Sequence, residues 1–278
     1  MSKVRHFKSL LDINKKEFLR IIDRSIQLKR ESLEGIANTS LSNKTMAMIF
    51  KKNSTRTRVA FETAMARMGG HAIFLTSDST QISRGEELSD TAKVLSGMVD
   101  IIMVRTHDHK EIEELAENSS VPVINGLTEK FHPCQLLADM QTYFEEKGSI
   151  EGKKVAWVGD GCNMCNSYIN AAKVLNFNLK IATPSGFEPD QVTLDLAKDN
   201  VELCDMPGKA VEDCDLVTTD VWSSMGDEGE SEKRKLMFKG YQINKHLFEK
   251  SKSDSIFLHC LPAHRGEEVD SDVIDGNR

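Results

Sequence analysis

The stretch Thr45-Met46-Ala47-Met48-Ile49-Phe50-Lys51-Lys52-Asn53-Ser54-Thr55-Arg56-Thr57-Arg58, followed at once by a run from Val59 to Gly70, decides how the chain reads. After Thr45 the first residues are apolar without polar alternation, as in a strand covered on both faces. Phe61, Ala64, Met65 and Met68 then fall at i, i+3, i+4 and i+7, one apolar stripe of a helix. Ser54 or Thr55 can cap the start of that helix, and Gly69-Gly70 stops it. A buried strand passing through a short polar turn into a helix is the repeating unit of an α/β fold.

The pattern recurs along the chain. Short apolar runs at Ala72–Leu75, Asp100–Val104, Val121–Ile124, Val155–Val158, Leu179–Ala182, Leu216–Thr219 and Ile256–His259 are separated by helix-length stretches. The expected class is therefore α/β, in two domains, each a mostly parallel sheet flanked by helices. A helix from about Pro133 to Glu146 carries Leu136, Leu137, Met140 and Tyr143 on one face. The polar turn residues that follow it, before the strand at Val155, place the domain boundary between 1–147 and 148–278.

Composition narrows the function classes. The 278 residues are 39% hydrophobic and 28% charged, with a net charge of −7. Enough apolar material is present for real cores, and Gly and Pro are too few for low-complexity disorder. A net acidic chain argues against general nucleic-acid binding, which depends on neutralising phosphates. No stretch approaches the ~20 apolar residues of a membrane helix. The charged amino terminus lacks the apolar segment of a signal peptide. Six cysteines scattered over this length suggest no disulfide scaffold, so a cytoplasmic location is expected.

Five clusters carry chemistry. Ser54-Thr55-Arg56-Thr57-Arg58 opens a helix, where free N–H groups and the dipole hold anions, and adds hydroxyls and guanidiniums that grip phosphate. It also reads as a capped helix with solvated arginines, and it lacks the glycines of a Walker loop. His132-Pro133-Cys134-Gln135 reads as a helix start, where His and Gln could polarise a carbonyl, or as a cap. Gly159-Asp160-Gly161-Cys162-Asn163-Met164 imitates a dinucleotide fingerprint but has Met where the third glycine belongs. It fits a tight strand-to-helix turn presenting Asn163. Cys162 and Cys165 have no second pair to complete a zinc site. Asp220 follows the strand Leu216–Thr219, well placed for an amine, and the charged run from Asp227 to Lys235 reads as a mobile solvated loop. His259-Cys260-Leu261-Pro262-Ala263-His264-Arg265-Gly266-Glu267-Glu268-Val269 follows the last apolar strand, with Cys260 a nucleophile or a ligand-contacting thiol.

Taken together and in order, these elements resemble the aspartate/ornithine carbamoyltransferase family. The resemblance rests on Ser-Thr-Arg-Thr-Arg at 54–58, Gln81 with Ser83-Arg84-Gly85-Glu86, Met103-Val104-Arg105-Thr106, His132-Pro133-Cys134-Gln135, Asp220 with Ser224-Met225-Gly226, and His259-Cys260-Leu261-Pro262. It covers nearly the whole chain. Ser-Met-Gly and His-Cys-Leu-Pro are similar to the ornithine-using branch rather than the aspartate-using one.

The resemblance implies transfer of the carbamoyl group of carbamoyl phosphate to the δ-amine of ornithine, giving citrulline and phosphate, in arginine biosynthesis or breakdown. It assigns the phosphate to Ser54, Thr55, Arg56 and Thr57, and phosphate and carbonyl oxygen to Arg105. His132, with Pro133, Cys134 and Gln135, would hold the carbamoyl group. Gln81 would reach a neighbouring subunit's site in a homotrimer with shared active sites. Asn163, Asp220, Ser224 and Met225 would hold the amino-acid end of ornithine, and Cys260 and Leu261 would line the reacting groups. Arg105, His132 and Cys260 would be catalytic. No cofactor and no metal is implied. The δ-amine is mostly charged at neutral pH, and Cys260 is the nearest candidate to help its deprotonation.

The chain departs from the family at Cys162 and Cys165, where non-cysteine residues are commoner. The family also continues with a short strand and a last helix carrying a further arginine for carbamoyl phosphate, so Arg278 takes no role. The rival readings are a carbamoyltransferase for another amine, such as putrescine or an acylated ornithine, and a non-catalytic phosphate- or nucleotide-binding α/β module.

Overall fold

A computed structural model describes residues 4–223 and 231–278. The chain divides into two compact units, Met1–Leu137 and Ala138–Arg278.

The first unit contains α1 (Lys15–Leu33), β1 (Thr45–Phe50), α2 (Arg56–Arg67), β2 (His71–Thr76), α3 (Leu88–Ser96), β3 (Ile101–Arg105), α4 (His109–Asn118), β4 (Val123–Leu127) and the start of α5 (Pro133–Lys147). Its sheet has the order β2-β1-β3-β4, every pair parallel. Met46, Met48 and Phe50 of β1 pack with Met103, Met65 and Phe61 on one face. Ala47 and Ile49 pack with Ile102, Val104, Ala92, Ile112 and Leu115 on the other. Apolar cover on both faces is why β1 shows no polar alternation.

The strand order also locates a site. From β1 the chain crosses to β2 on one side, then returns to place β3 on the other side of β1. Loops leaving β1 and β3 therefore diverge, opening a crevice at the carboxyl ends of these two strands. Phe50, the last residue of β1, is the register partner of Arg105, the last of β3.

The second unit contains the rest of α5, then β5 (Lys154–Val158), α6 (Asn163–Leu175), β6 (Asn178–Ala182), α7 (Gln191–Leu196), β7 (Val201–Leu203), α8 (Pro207–Val211), β8 (Leu216–Thr219), α9 (Ser231–Phe238), α10 (Lys245–Phe248), β9 (Ile256–His259) and α11 (Ser271–Ile274). All its strands are parallel, in the order β7-β6-β5-β8-β9. The same reversal occurs here between β5 and β8, so the crevice lies where Gly159 and Asp220 follow those strands. Ala156, Val158, Val217 and Phe257 fill one face of the sheet with Ala210, Val211, Phe248 and Val273. Burying an aliphatic or aromatic side chain of this kind contributes about 1.5–3 kcal/mol.

Several local expectations change. β4 begins at Val123 rather than Val121, because Pro122 precedes it and lends only its carbonyl, to Ile102. β7 has no counterpart in the sequence reading: three residues at the sheet edge, largely exposed, leave no apolar run to recognise. In α2 the stripe narrows to Met65 as its buried member, and Ala64 is exposed. Thr55 occupies the N-cap position of α2 in helical conformation, and its hydroxyl makes no capping hydrogen bond. Gly69, at φ +80°, ends the helix as expected. The charged run from Asp227 to Lys235 is not all loop, since α9 begins at Ser231 and Arg234 within it is buried.

Candidate active site

In the first unit, the loop after β1 brings Ser54 and Thr57, both half-buried, beside Thr55 and Arg56, both exposed. Thr55 supplies no side-chain cap, and a helix start of this kind presents N–H groups suited to an anion. Arg105, at the end of β3, is 7% exposed. One guanidinium nitrogen donates to Thr57 Oγ1 at 3.2 Å, and its Nε is buried without a hydrogen-bond partner. Burial, and then the like charge of Arg56, bring the Arg105 pKa down to about 10. A buried guanidinium with an unpartnered Nε, pushed further by a second arginine, is suited to hold an anion.

His132 precedes α5, with Pro133 at its first position. Burial lowers the His132 pKa to about 3, reinforced by the charges of Arg105 and Arg56. The imidazole is therefore neutral at working pH and serves as a hydrogen-bonding group rather than a cation. Cys134 donates its thiol to the Asn125 carbonyl at 3.4 Å, and burial raises its pKa to about 12, so it is inert packing chemistry. Gln135 is half-buried one position on. Gln81 stands apart, exposed at the head of the 3-10 turn Gln81–Arg84.

In the second unit, the Gly159 turn presents Asn163 as the first residue of α6. Gly161 is required there, because a Cβ would stand 2.3 Å from the Pro189 nitrogen and 2.5 Å from the Phe187 carbonyl oxygen. Asp220 is 9% exposed. Its Oδ1 accepts from the Cys260 thiol at 3.1 Å and the Val221 amide at 2.8 Å, while the Cys162 thiol lies 3.8 Å from Oδ2. Burial raises the Asp220 pKa, against the opposing pull of the Cys260 hydrogen bond. Burial and the adjacent Asp220 charge hold the Cys260 thiol well above its ordinary range, so Cys260 is a protonated donor.

Leu261 adopts a left-handed conformation, φ 57°, which costs a residue with a Cβ about 1–2 kcal/mol. Its amide donates to His259 Nδ1 at 2.9 Å. The opposite ring nitrogen, Nε2, therefore carries the proton and donates to Glu268 Oε1 at 3.2 Å. Glu268 is fully buried and also accepts from the His264 amide. This chain of bonds holds the loop bearing Cys260 and Leu261, with Leu261 45% exposed at its tip. Ser224 and Met225 lie outside the described residues.

Among the described residues, two groups bring metal-ligating atoms within 4.8 Å of one another, Asp220–His259–Cys260 and His264–Glu267–Glu268. In the first, both ring nitrogens of His259 and the Cys260 thiol are already engaged in the bonds just described. In the second, Glu267 is paired with Lys235 at 3.0 Å.

The structure thus brings Arg56, Thr57, Arg105 and His132 together in one unit, and Asn163, Asp220, Cys260 and Leu261 in the other. The sequence places Glu268 in the His259–Val269 cluster without showing its bond to His259, and gives no sign of Asp139 as the buried acceptor of the Tyr168 hydroxyl at 2.9 Å, or of Arg234.

Comparison with known proteins agrees with the two units. Residues 5–145 match the family model described as aspartate/ornithine carbamoyltransferase, carbamoyl-P binding domain. Residues 151–278 match that described as the Asp/Orn binding domain of the same family. The ornithine carbamoyltransferase of Hydrogenovibrio crunogenus is 52% identical over 272 residues, covering 98% of this chain and 90% of the relative. That of Methylococcus capsulatus is 52% identical over 276 residues, covering 99% and 91%. Among solved structures, ornithine carbamoyltransferase from Pyrococcus furiosus superposes with a TM-score of 0.94 at 48% identity, over 98% of this chain and 90% of that one. The enzyme from Burkholderia thailandensis superposes at 0.91 with 43% identity, over 99% and 91%.

Proposed function

The chain belongs to the aspartate/ornithine carbamoyltransferase family, and from that premise we propose that it transfers the carbamoyl group of carbamoyl phosphate to the δ-amine of L-ornithine, yielding L-citrulline and phosphate. The observation that carries this reading is the buried Arg105 guanidinium, whose Nε has no hydrogen-bond partner, held beside Thr57 and the charge of Arg56 at the start of α2. That arrangement suits a compact phosphate dianion whose acyl oxygen also needs stabilising.

On this reading, residues 1–147 hold carbamoyl phosphate. Ser54, Thr55, Arg56 and Thr57 take the phosphate, at the positive end of the α2 dipole. Arg105 spans phosphate and carbonyl oxygen, and neutral His132, with Gln135, orients the carbamoyl group. As the amine attacks the carbamoyl carbon, negative charge grows on the carbonyl oxygen and then on the departing phosphate. Arg56, Arg105 and His132 are fixed before the reaction, so little reorganisation is needed to meet that charge. Residues 148–278 hold ornithine. Asn163 and Asp220, with Ser224 and Met225, take the α-amino-acid end, and the Cys260–Leu261 loop lines the reacting amine. Gln81, exposed in this chain, serves a neighbouring subunit in a homotrimer with shared sites, and the enzyme works in the cytoplasm.

The test is an amine panel. The protein is incubated with carbamoyl phosphate and ornithine, putrescine, an acylated ornithine or aspartate, and carbamoylated product and phosphate are measured together. Citrulline from ornithine alone supports the reading. Product from another amine reassigns the acceptor, and absence of product with every amine overturns the enzyme reading in favour of a binding module.

A further inference from the structure

Arg234 lies on α9, within a run of charged residues, yet it is 9% exposed. Its Nε donates to the Trp222 carbonyl and a terminal nitrogen pairs with Asp160 Oδ2. The two acceptors belong to different turns. Asp160 sits in the turn after β5 that ends at Asn163, and Trp222 follows Asp220 in the turn after β8. The guanidinium also stands 4.6 Å over the Phe187 ring and 5.5 Å from that of Phe238, and Phe238 stacks against Trp222. The Phe187 carbonyl accepts from the Gly161 amide at 2.8 Å, and the Asp160 carbonyl accepts from the Trp157 indole at 2.9 Å.

We infer that Arg234 is a positioning residue for the amino-acid substrate, setting the spacing between Asn163 and Asp220 by tying their two turns together. A guanidinium suits this place because its rigid fork donates in two directions while its face stacks on aromatic rings. A lysine offers one point charge and cannot hold both acceptors at the same distances. Lying across the crevice between β5 and β8, Arg234 fixes the gap that the diverging loops would otherwise leave free. Arg234 touches no phosphate ligand, so the effect belongs to ornithine alone. The inference rests on the assignment of Asn163 and Asp220 to the amino-acid end of ornithine.

The test uses the full-length enzyme and steady-state kinetics in both substrates. It adds inhibition by 2-aminopentanoate, which has ornithine's amino-acid end but no nucleophile. Arg234→Met keeps the stem and its packing on Phe187 and Phe238 while removing the fork. The expected result is a rise of about tenfold or more in KM for ornithine with a parallel loss of 2-aminopentanoate inhibition, and KM for carbamoyl phosphate held within about twofold. Arg234→Lys should fall short of wild type in the same two readouts. A variant that loses only thermal stability, or loses kcat with KM for ornithine unchanged, overturns the inference. Should Arg234→Met fail to fold, Asp160→Asn weakens the same pair with little change of shape and is judged by the same criteria. Asp220→Asn is the control. If it leaves KM for ornithine unchanged, the underlying site assignment fails. If it raises KM and the Arg234 and Asp160 variants do not, the positioning role alone fails.

Discussion

Phe50 and Arg105 stand opposite one another as the last residues of adjacent parallel strands, so the turn that opens α2 and the buried guanidinium rise from the same end of the sheet. The phosphate site follows from that register. Two residues 55 positions apart in sequence are neighbours because the chain reverses direction across the sheet at β1.

Arg56→Gly isolates the phosphate claim. Arg56 is exposed at the first position of α2, so glycine there costs the fold no more than about 1 kcal/mol. Losing a charge-assisted, bidentate grip should weaken carbamoyl-phosphate binding about tenfold to a hundredfold. Calorimetry for binding and circular dichroism for the fold are the readouts. Unchanged affinity would remove Arg56 from the site.

His132 should make the fold acid-sensitive. Its pKa is about 3 in the folded chain and near 6.5 when unfolded. As pH falls below about 6.5 the unfolded chain takes up a proton that the folded chain refuses until about 3. The stability this group contributes is present above about 6.5 and is lost progressively down to about 3. Denaturant midpoints at pH 7 and pH 5 should therefore differ more in wild type than in His132→Gln. Equal differences would mean that His132 titrates normally.

Cys260 and Asp220 can be read through alkylation rate. The Asp220 charge and hydrogen bond both favour the protonated thiol. Neutralising that charge in Asp220→Asn should lower the Cys260 pKa and speed its reaction with iodoacetamide at pH 8. A slower reaction would contradict the pairing. Held protonated, the thiol cannot take the amine's proton, so Cys260→Ser, whose hydroxyl can still donate to Asp220, should leave the pH–rate profile unchanged, and a shifted profile would return sulfur to proton transfer.

Gly161→Ala should destabilise the second unit severely. The new methyl would meet backbone atoms of residues 187–189, which cannot rotate aside. A loss of about 3 kcal/mol or more, measured by denaturant unfolding, is the expected outcome.

The elements that sequence reading located well are those with a compact apolar run bounded by polar residues. β1, β8 and β9 coincide with their expected limits because each is an unbroken apolar or β-branched run. β7 was illegible because an exposed three-residue edge strand carries no such run. The phosphate cluster was visible because hydroxyls and guanidiniums at a helix start are an unusual combination. Arg234 was not, because its charged neighbours Glu232, Lys233 and Lys235 mark a solvated segment, and only the rings of Phe187 and Phe238 show that one of these charges turns inward. The neutrality of His132 was equally hidden, since it depends on two arginines distant in sequence.

The repeated reversal of strand order has a consequence for how the chemistry can be re-engineered. On the proposed reading, each unit gathers its ligands on loops at the carboxyl ends of neighbouring strands, β1, β3 and β4 in one and β5, β8 and β9 in the other, and the strands beneath space them. On the same reading, the acceptor amine is a property of the segments after β5, β8 and β9, and the donor a property of those after β1, β3 and β4. A library confined to the former three segments should explore new nucleophiles on an unaltered carbamoyl donor, with the β-sheet cores left untouched.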